Sequence, residues 1–509
     1  MFFAFPLVTL LARVVRPGSF ADALDTPGLG RVVWFTLWQA ALSTLLTLVV
    51  GFAPAYVLAR YRFAGRRAVL AAVTVPFMLP TVVVGAAFLA LLPHSWHDSA
   101  RAVIVAHVFF NVAVVVRLLG SMWAVVPEQI TAAARTLGAS PWQLLRHVVL
   151  PLLRPGLLAA GTVVFLFTFT SFGTVRLLGG PANATLEVEI ARRATSLGDV
   201  DGAAVLSMLQ FVVLGLVVWL SSRFQRAATV QMAGAPSVRR ARTPGQRWLV
   251  RGVAGATALV MVVPLAVMVS RSLRLGGRWS LTAWRALGRT EVRPGIGLGI
   301  DPLASLYTSL RFAAVAALIS VVVGTLAALA IGSARRHGRL LDIGLMLPLG
   351  TSAVTIGLGI LITFDTAPID WRAEWWLIPV GHALVATPFV VRALVPVLRA
   401  IPTDQRAAAA VLGASPWRAW WQVDVRRITA PLVGAAGLAA AISLGEFGAT
   451  TFLTRSGRET MPIAIARLLG RAGEVPRAQG FALASILLAA TAVIAAIADS
   501  RGVLDARGT

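Results

Sequence analysis

One unusual hexapeptide occurs twice in this chain. Leu137-Gly138-Ala139-Ser140-Pro141-Trp142 returns 275 residues later as Leu412-Gly413-Ala414-Ser415-Pro416-Trp417. The same spacing relates His107 to His382, Arg117 to Arg392, Pro127 to Pro402, Phe172-Gly173 to Phe447-Gly448 and Thr185 to Thr460. A single spacing held over so many positions marks an internal duplication. The fold must therefore be assembled from two like halves. Each copy of the block is hydrophilic and lies between apolar stretches, which is most simply read as two equivalent places where something two-fold docks.

Composition decides the solvent. Apolar residues make up 57% of the 509 and charged residues only 13%, where a soluble domain averages about 25% charged. Most of the chain is therefore solvated by lipid or by other helices. The net charge of +25 does not point to nucleic acid, because the basic residues sit mainly between apolar runs, as inward-facing anchors to anionic lipid do. There is no cysteine, which excludes disulfides, thiolate metal sites and cysteine nucleophiles. No His-Glu-x-x-His pattern occurs either, so no catalytic residue and no metal ligand is assigned.

A bilayer span needs about 20 mostly apolar residues. Such runs fall at 2–15, 32–58, 68–93, 102–126, 155–173 and 203–221, then at 249–270, 307–331, 340–364, 375–398, 430–453 and 480–498. The expectation is an all-α polytopic membrane protein of about twelve helices, arranged as two parallel, pseudo-symmetric halves of six. The run 2–15 lacks a basic leader and a small-residue cleavage site, and reads as a short first membrane helix. The halves are placed at 1–221 and 249–509, joined by a polar linker at 222–248 carrying Arg239, Arg240 and Arg242. The linker, the repeated blocks at 128–155 and 403–430, and the basic loop 60–67 with its counterpart at 335–339 all belong on the cytoplasmic side. Both termini then face the cytoplasm. Asp365, Asp370 and Glu374 fall outside, as does an arginine-rich stretch after Ser270 that disagrees with the rule.

The block has its own local logic. Ala132 to Leu137 favours helix, Gly138 ends it, and Ser140 before Pro141 is a cap followed by a residue suited to the first turn. This helix, glycine turn and helix resembles the cytoplasmic loop of permease subunits of bacterial ABC importers. That pattern runs Glu-Ala-Ala, three residues, Gly, nine residues, Ile, one residue, Leu-Pro. The first copy matches at Ala133, Ala134, Gly138, Val148, Leu150 and Pro151, with Ala132 in place of the glutamate. The second keeps Ala408, Ala409 and Gly413, with Ser415 and Pro416 repeating the cap, but has Ala407 for the glutamate and Val425-Arg426 for Leu-Pro. The resemblance implies the fold of type I importer permeases, in the bacterial inner membrane. It implies two copies of an ATPase subunit on the two loops and an extracytoplasmic substrate-binding protein. No Gly-x-x-x-x-Gly-Lys-[Ser/Thr] occurs in this chain, so ATP and magnesium belong to the partner ATPase and the chain carries no cofactor of its own.

A narrower resemblance spans nearly the whole chain. Ala106 to Asn111, Ser171 to Thr174, Leu178 to Pro181 and Ser443 to Gly448 look like segments of fused two-half permeases for thiamine. Permeases for iron(III) share the last of these, so thiamine ranks first and iron(III) second. Glu446 lies sixteen residues beyond Ala430, about 24 Å along a helix. A carboxylate at that depth is expected to serve the substrate pathway and to greet a cation near the outer mouth. His107 and His382, near the outer ends of equivalent helices, could meet across the pseudo-axis or be held by their backbones. Asn111 lies one turn from His107 and could join two helices; Ser171 falls in the same pathway set. An ion-coupled secondary transporter is the rival reading, but it calls for several carboxylates at mid-depth and leaves the repeated block unexplained.

Overall fold

A computed structural model describes residues 2–15, 25, 28–227, 238–293, 296–333, 338–366, 369–371 and 373–500. The first half runs α1 (Ala4–Val14), α2 (Leu29–Arg60), α3 (Arg66–Met78), α4 (Thr81–Leu91), α5 (Ala100–Ala124), α6 (Glu128–Thr136), α7 (Pro141–Phe169), α8 (Gly173–Leu178), α9 (Leu186–Arg192) and α10 (Val200–Ala227). The second runs α11 (Pro244–Ser272), α12 (Pro302–Ser333), α13 (Gly338–Met346), α14 (Ala353–Thr363), α15 (Leu377–Arg399), α16 (Thr403–Val411), α17 (Pro416–Gly445), α18 (Gly448–Leu453), α19 (Met461–Leu469) and α20 (Glu474–Ser500). Strands among the described residues are confined to four short two-stranded pairs.

The chain is an all-helical membrane protein, but the count of twelve spans is not reached. Among the described residues nine helices are long and apolar enough to cross a bilayer, and α3 with α4 makes a tenth, bent by 107°. Pro80 forces the bend: the residue before a proline is pushed out of helical conformation, and Leu79 is extended, with ψ of 145°. The run 2–15 becomes an 11-residue helix, about 16 Å long and too short to span. The run 340–364 is interrupted by the turn Leu347–Gly350 between α13 and α14. Of the basic loop's counterpart, residues 334–337 lie outside the described residues, as do 228–237 of the linker.

The repeat is more elastic than one spacing suggests. From α5 onward it holds at 275 residues, and α6 and α16 are both nine residues long. Upstream, α2 and α12, each 32 residues, are 273 apart, and α4 and α14, each 11 residues, are 272 apart. Packing confirms the shifted register. A Cβ on Gly51 would lie 2.8 Å from the Val115 side chain, and one on Gly324 would lie 2.8 Å from that of Val390. Thr36 Oγ1 accepts the Leu186 amide at 2.9 Å, and Ser309 Oγ accepts the Met461 amide at 2.7 Å. Each half thus satisfies the first free amide of its short helix, α9 or α19, with a hydroxyl from its first long span.

The halves are interlocked. α1 packs on α14 and α10, while α11 packs on α4 and α20. Under the repeat these are the same contacts with the halves exchanged. Each half therefore seals the bent segment of the other with its own leading helix, and Phe2 adds ring contacts to Phe364, Trp371 and Trp376.

Candidate functional site

The two repeated blocks fold alike. α6 carries no buried residue; Ala134 packs in part against the neighbouring core, while Ile130 is exposed. The helix ends where Gly138 adopts φ of +82°, and α16 ends at Gly413 with φ of +78°, a conformation natural to glycine. The closing bonds match: Ala139 N donates to Ala134 O and Ala414 N to Ala409 O, both at 3.0 Å. Ser140 then accepts from Gln143 N and Ser415 from Arg418 N, each at 3.3 Å, with Pro141 and Pro416 opening the next helix. Leu137 is 88% exposed and Leu412 87%, flanked by the exposed Trp142 and Trp417. Ala133, Ala134, Ala408 and Ala409 lie on the short helices just before these turns.

A wide turn follows each cap, over Leu145–Val149 and Trp420–Val425. In the first half it delivers Leu150-Pro151 to the start of the long helix; in the second it forms although Val425-Arg426 stand there. The proline is therefore not what makes the turn. Side chains do distinguish the blocks. In the second, Trp417 stacks on Trp420 with centroids 4.9 Å apart. In the first, Glu128 at the head of α6 is gripped by Arg60 at 3.0 Å and approached by Arg239 at 3.8 Å. Arg239 reaches it because Arg239–Arg240 of the linker pairs in parallel with Tyr61–Arg62.

Deeper in, the expected pathway residues are buried. His382 Nδ1 lies 2.7 Å from Ser443 Oγ, and Nε2 lies 2.8 Å from Thr450 Oγ1 and 3.5 Å from Glu446 Oε2. The Thr450 hydroxyl donates to Glu446 Oε2 at 2.7 Å. It must then accept from His382, whose proton sits on Nε2 while Nδ1 accepts from Ser443. The Glu446 carboxylate also accepts the amides of Ala449 at 3.0 Å and Thr450 at 2.9 Å. It caps α18 from within the protein, 6% exposed, and greets nothing at the mouth. His107 Nδ1 instead meets Gln39 Oε1 at 3.1 Å, and Gln39 Nε2 donates on to Thr168 O at 3.1 Å. The two histidines are thus held in their own halves and not by each other. Asn111 donates to His107 O at 2.9 Å on its own helix, so it does not join two helices through this bond. Ser171 is buried.

The halves meet at Phe172 and Phe447, whose rings lie 5.0 Å apart. Above this contact opens a cavity of about 790 Å³. It lies at the end of the molecule away from the repeated blocks: Asp98, on its wall, precedes α5, and α7 and α17 run toward it from the blocks. Five equivalent pairs line it, namely 172 with 447, 176 with 451, 191 with 466, 192 with 467 and 195 with 470. The cavity therefore straddles the pseudo-axis. Arg176, Arg192, Arg467, Arg471 and Arg477 contribute guanidinium groups, against one carboxylate, Asp98. Sequence reasoning passed over these residues, although Arg192 and Arg467 keep the 275-residue spacing. Glu446, His107, Asn111, His382 and Ser171 do not line the cavity.

The family described as binding-protein-dependent transport system inner membrane component matches residues 47–228. An ABC transporter permease of Sinorhizobium fredii, provisionally named y4fN, is 28% identical over 90% of this chain and 86% of its own. The thiamine transport system permease protein ThiP of Escherichia coli is 28% identical over 87% of this chain and 84% of its own. A protein of Salmonella paratyphi A, provisionally named 2-aminoethylphosphonate transport system permease protein PhnV, is 31% identical over 48% of this chain but 92% of its own. One half of the present chain thus corresponds to nearly the whole of that relative.

Proposed function

We infer that this chain, which belongs to the family of binding-protein-dependent transport system inner membrane components, passes a small solute across the bacterial inner membrane under the drive of a separate ATPase. Its relatives are permease subunits of ABC transporters, and the chain is a transport component and not an enzyme. The observation that carries the mechanism is the pair of exposed Leu-Gly-Ala-Ser-Pro-Trp turns, 88% and 87% exposed at their leucines. Two identical apolar knobs on one face suit two copies of one ATPase. Each ATPase holds one block, at 128–155 or 403–430, with magnesium and ATP bound to the ATPase alone.

In this reading the blocks, the linker and the end of α20 face the cytoplasm. Because α1 does not span, residues 2–15 lie on the opposite side, where Phe2 meets Phe364, Trp371 and Trp376, which corrects the expectation that both termini are cytoplasmic. The opposite cavity faces the binding protein that delivers the solute. Closing of the ATPase dimer moves α6 and α16, and the long helices that follow carry the motion to the Phe172–Phe447 seam. Residues 1–221 and 249–509 act as the two moving halves. Of the two substrates raised by resemblance, thiamine has the support of relatives' names and iron(III) ranks behind it.

The test is reconstitution. The chain alone should turn over no ATP, whereas with its ATPase in proteoliposomes hydrolysis should rise when the binding protein is added. Turnover by the purified single chain, or no stable complex with any ATPase, overturns the reading.

A further inference from the structure

We propose that the arginine-lined cavity is a binding site for a soluble solute carrying an oxyanion, of the phosphonate or phosphate-ester class. The proposal rests on the importer reading and names the substrate class for its entrance. The volume of about 790 Å³ falls within the range of small-molecule sites. The floor is the apolar Phe172–Phe447 pair, and the walls are cationic. Two of the five guanidinium groups are matched within the chain: Arg192 pairs with Glu189 at 2.8 Å and Arg467 with Glu459 at 3.0 Å. Arg471 donates to Gly297 O at 3.2 Å. The guanidinium groups of Arg176 and Arg477 have no ion-pair or hydrogen-bond partner among the described residues, and both residues are exposed. Unmatched guanidinium groups around a concave wall focus a positive potential and present paired donors that fit a phosphoryl or phosphonyl group.

Position separates a solute from other anions. The cavity straddles the pseudo-axis and draws its walls from both halves, whereas a lipid headgroup would meet the outer rim of the bundle. The pseudo-axis is also where a solute must cross between two moving halves. A bare cation would enter against the unmatched guanidinium groups of Arg176 and Arg477, since Arg192 and Arg467 are already paired with Glu189 and Glu459 and Asp98 is the one carboxylate on the wall. This occupant differs in charge from thiamine and iron(III), so the proposal departs from both substrates raised by resemblance and rests on the importer reading alone.

The test measures binding by the purified full chain in phosphatidylcholine nanodiscs at low salt. Equilibrium dialysis with radiolabelled inorganic phosphate and with methylphosphonate is the readout, with thiamine as competitor. Saturable binding near one per chain, weakened at least tenfold in Arg176→Gln/Arg477→Gln and largely kept in Arg176→Lys/Arg477→Lys, supports the proposal. A matching melting profile shows that the Gln variant is folded. Absence of saturable phosphate or methylphosphonate binding, equal binding by the Gln variant, or displacement by thiamine overturns it. So does binding of phosphatidylglycerol in place of phosphate in mixed nanodiscs, which would assign the arginines to a headgroup. Loss of binding-protein docking in the Gln variant without any phosphate binding would assign them to a protein surface and also overturn it. No ATPase is present in the assay, so failure here leaves the importer reading standing.

Discussion

His107 and His382 occupy equivalent places in the repeat and are buried to the same degree, yet their surroundings share almost nothing. In the first half the partner is Gln39 on α2. At the equivalent place on α12, in the 273-residue register, stands Phe312, buried and without a polar atom. His382 therefore turns to α17 and α18, where Ser443, Glu446 and Thr450 replace Thr168, Ser171 and Val175 of the first half. One substitution on the first span is balanced by three on the last. The lesson is that duplication preserves what the backbone needs: the small residues Gly51 and Gly324, the hydroxyls of Thr36 and Ser309, and the glycine turns. Buried polar groups must be satisfied, but any neighbour can do it, so the polar chemistry of the halves drifts apart.

The largest test of this contrast is removal of the cap. Glu446→Ala should destabilise the chain by about 3 kcal/mol, since a charged acceptor is lost and buried donors are left open. Ser171→Ala at the equivalent place should stay within about 0.5 kcal/mol, because no hydrogen bond holds that hydroxyl among the described residues. Unfolding in mixed micelles reads both, and similar losses would show that the asymmetry is not energetic.

Next come the histidines. Interhelical polar contacts in membranes average about 0.6 kcal/mol each. With two hydrogen-bond partners, Ser443 and Thr450, His382→Ala should cost about 1.2 kcal/mol, and with one His107→Ala about 0.6 kcal/mol. A reversed order in the same unfolding assay would refute the partner assignment.

The blocks are the next comparison. A side chain at either left-handed glycine costs about 1–2 kcal/mol locally, equally at φ of +82° and +78°. Any difference between Gly138→Arg and Gly413→Arg therefore reports the partner and not the turn. Uptake should fall about tenfold for Gly138→Arg and about threefold for Gly413→Arg, a gap of about 0.7 kcal/mol between factors each worth about 1.4 kcal/mol per decade. The first block is expected to matter more because it keeps Leu150-Pro151 and because Arg60 and the linker brace its helix through Glu128. Equal losses would show that the bracing adds nothing.

The smallest effect on uptake is that of Glu446→Gln. It keeps one cap acceptor and leaves one amide poorly served, at about 1 kcal/mol. Uptake per folded complex should stay near wild type, because Glu446 lies behind the cavity wall. A severe loss of uptake at normal expression would return the carboxylate to the pathway.

Much of the local design was written in the sequence. Gly138 before Ser140-Pro141 announces a helix end and a new cap, because those preferences act within a few residues. Apolar runs announce membrane helices for the same reason, and identical residues from His107 onward expose the repeat. The shifts to 273 and 272 upstream were hidden, because these helices are almost wholly apolar, whether buried or facing lipid, and exchange Val, Leu and Ala freely, leaving few identities to align. The bend at Pro80 could be suspected, but not that α1 is too short to span or that it seals the other half. Depth along a helix placed Glu446 far from the blocks, yet depth alone does not tell a mouth from an interior. That depended on which donors α18 turned toward it. The arginine-lined cavity was beyond reading, since Arg176 and Arg477 are brought together only by the meeting of two halves three hundred residues apart. Short-range preference is carried by neighbouring residues and survives in the sequence. The balance of charge in a cavity is a sum over elements that only the tertiary fold makes neighbours.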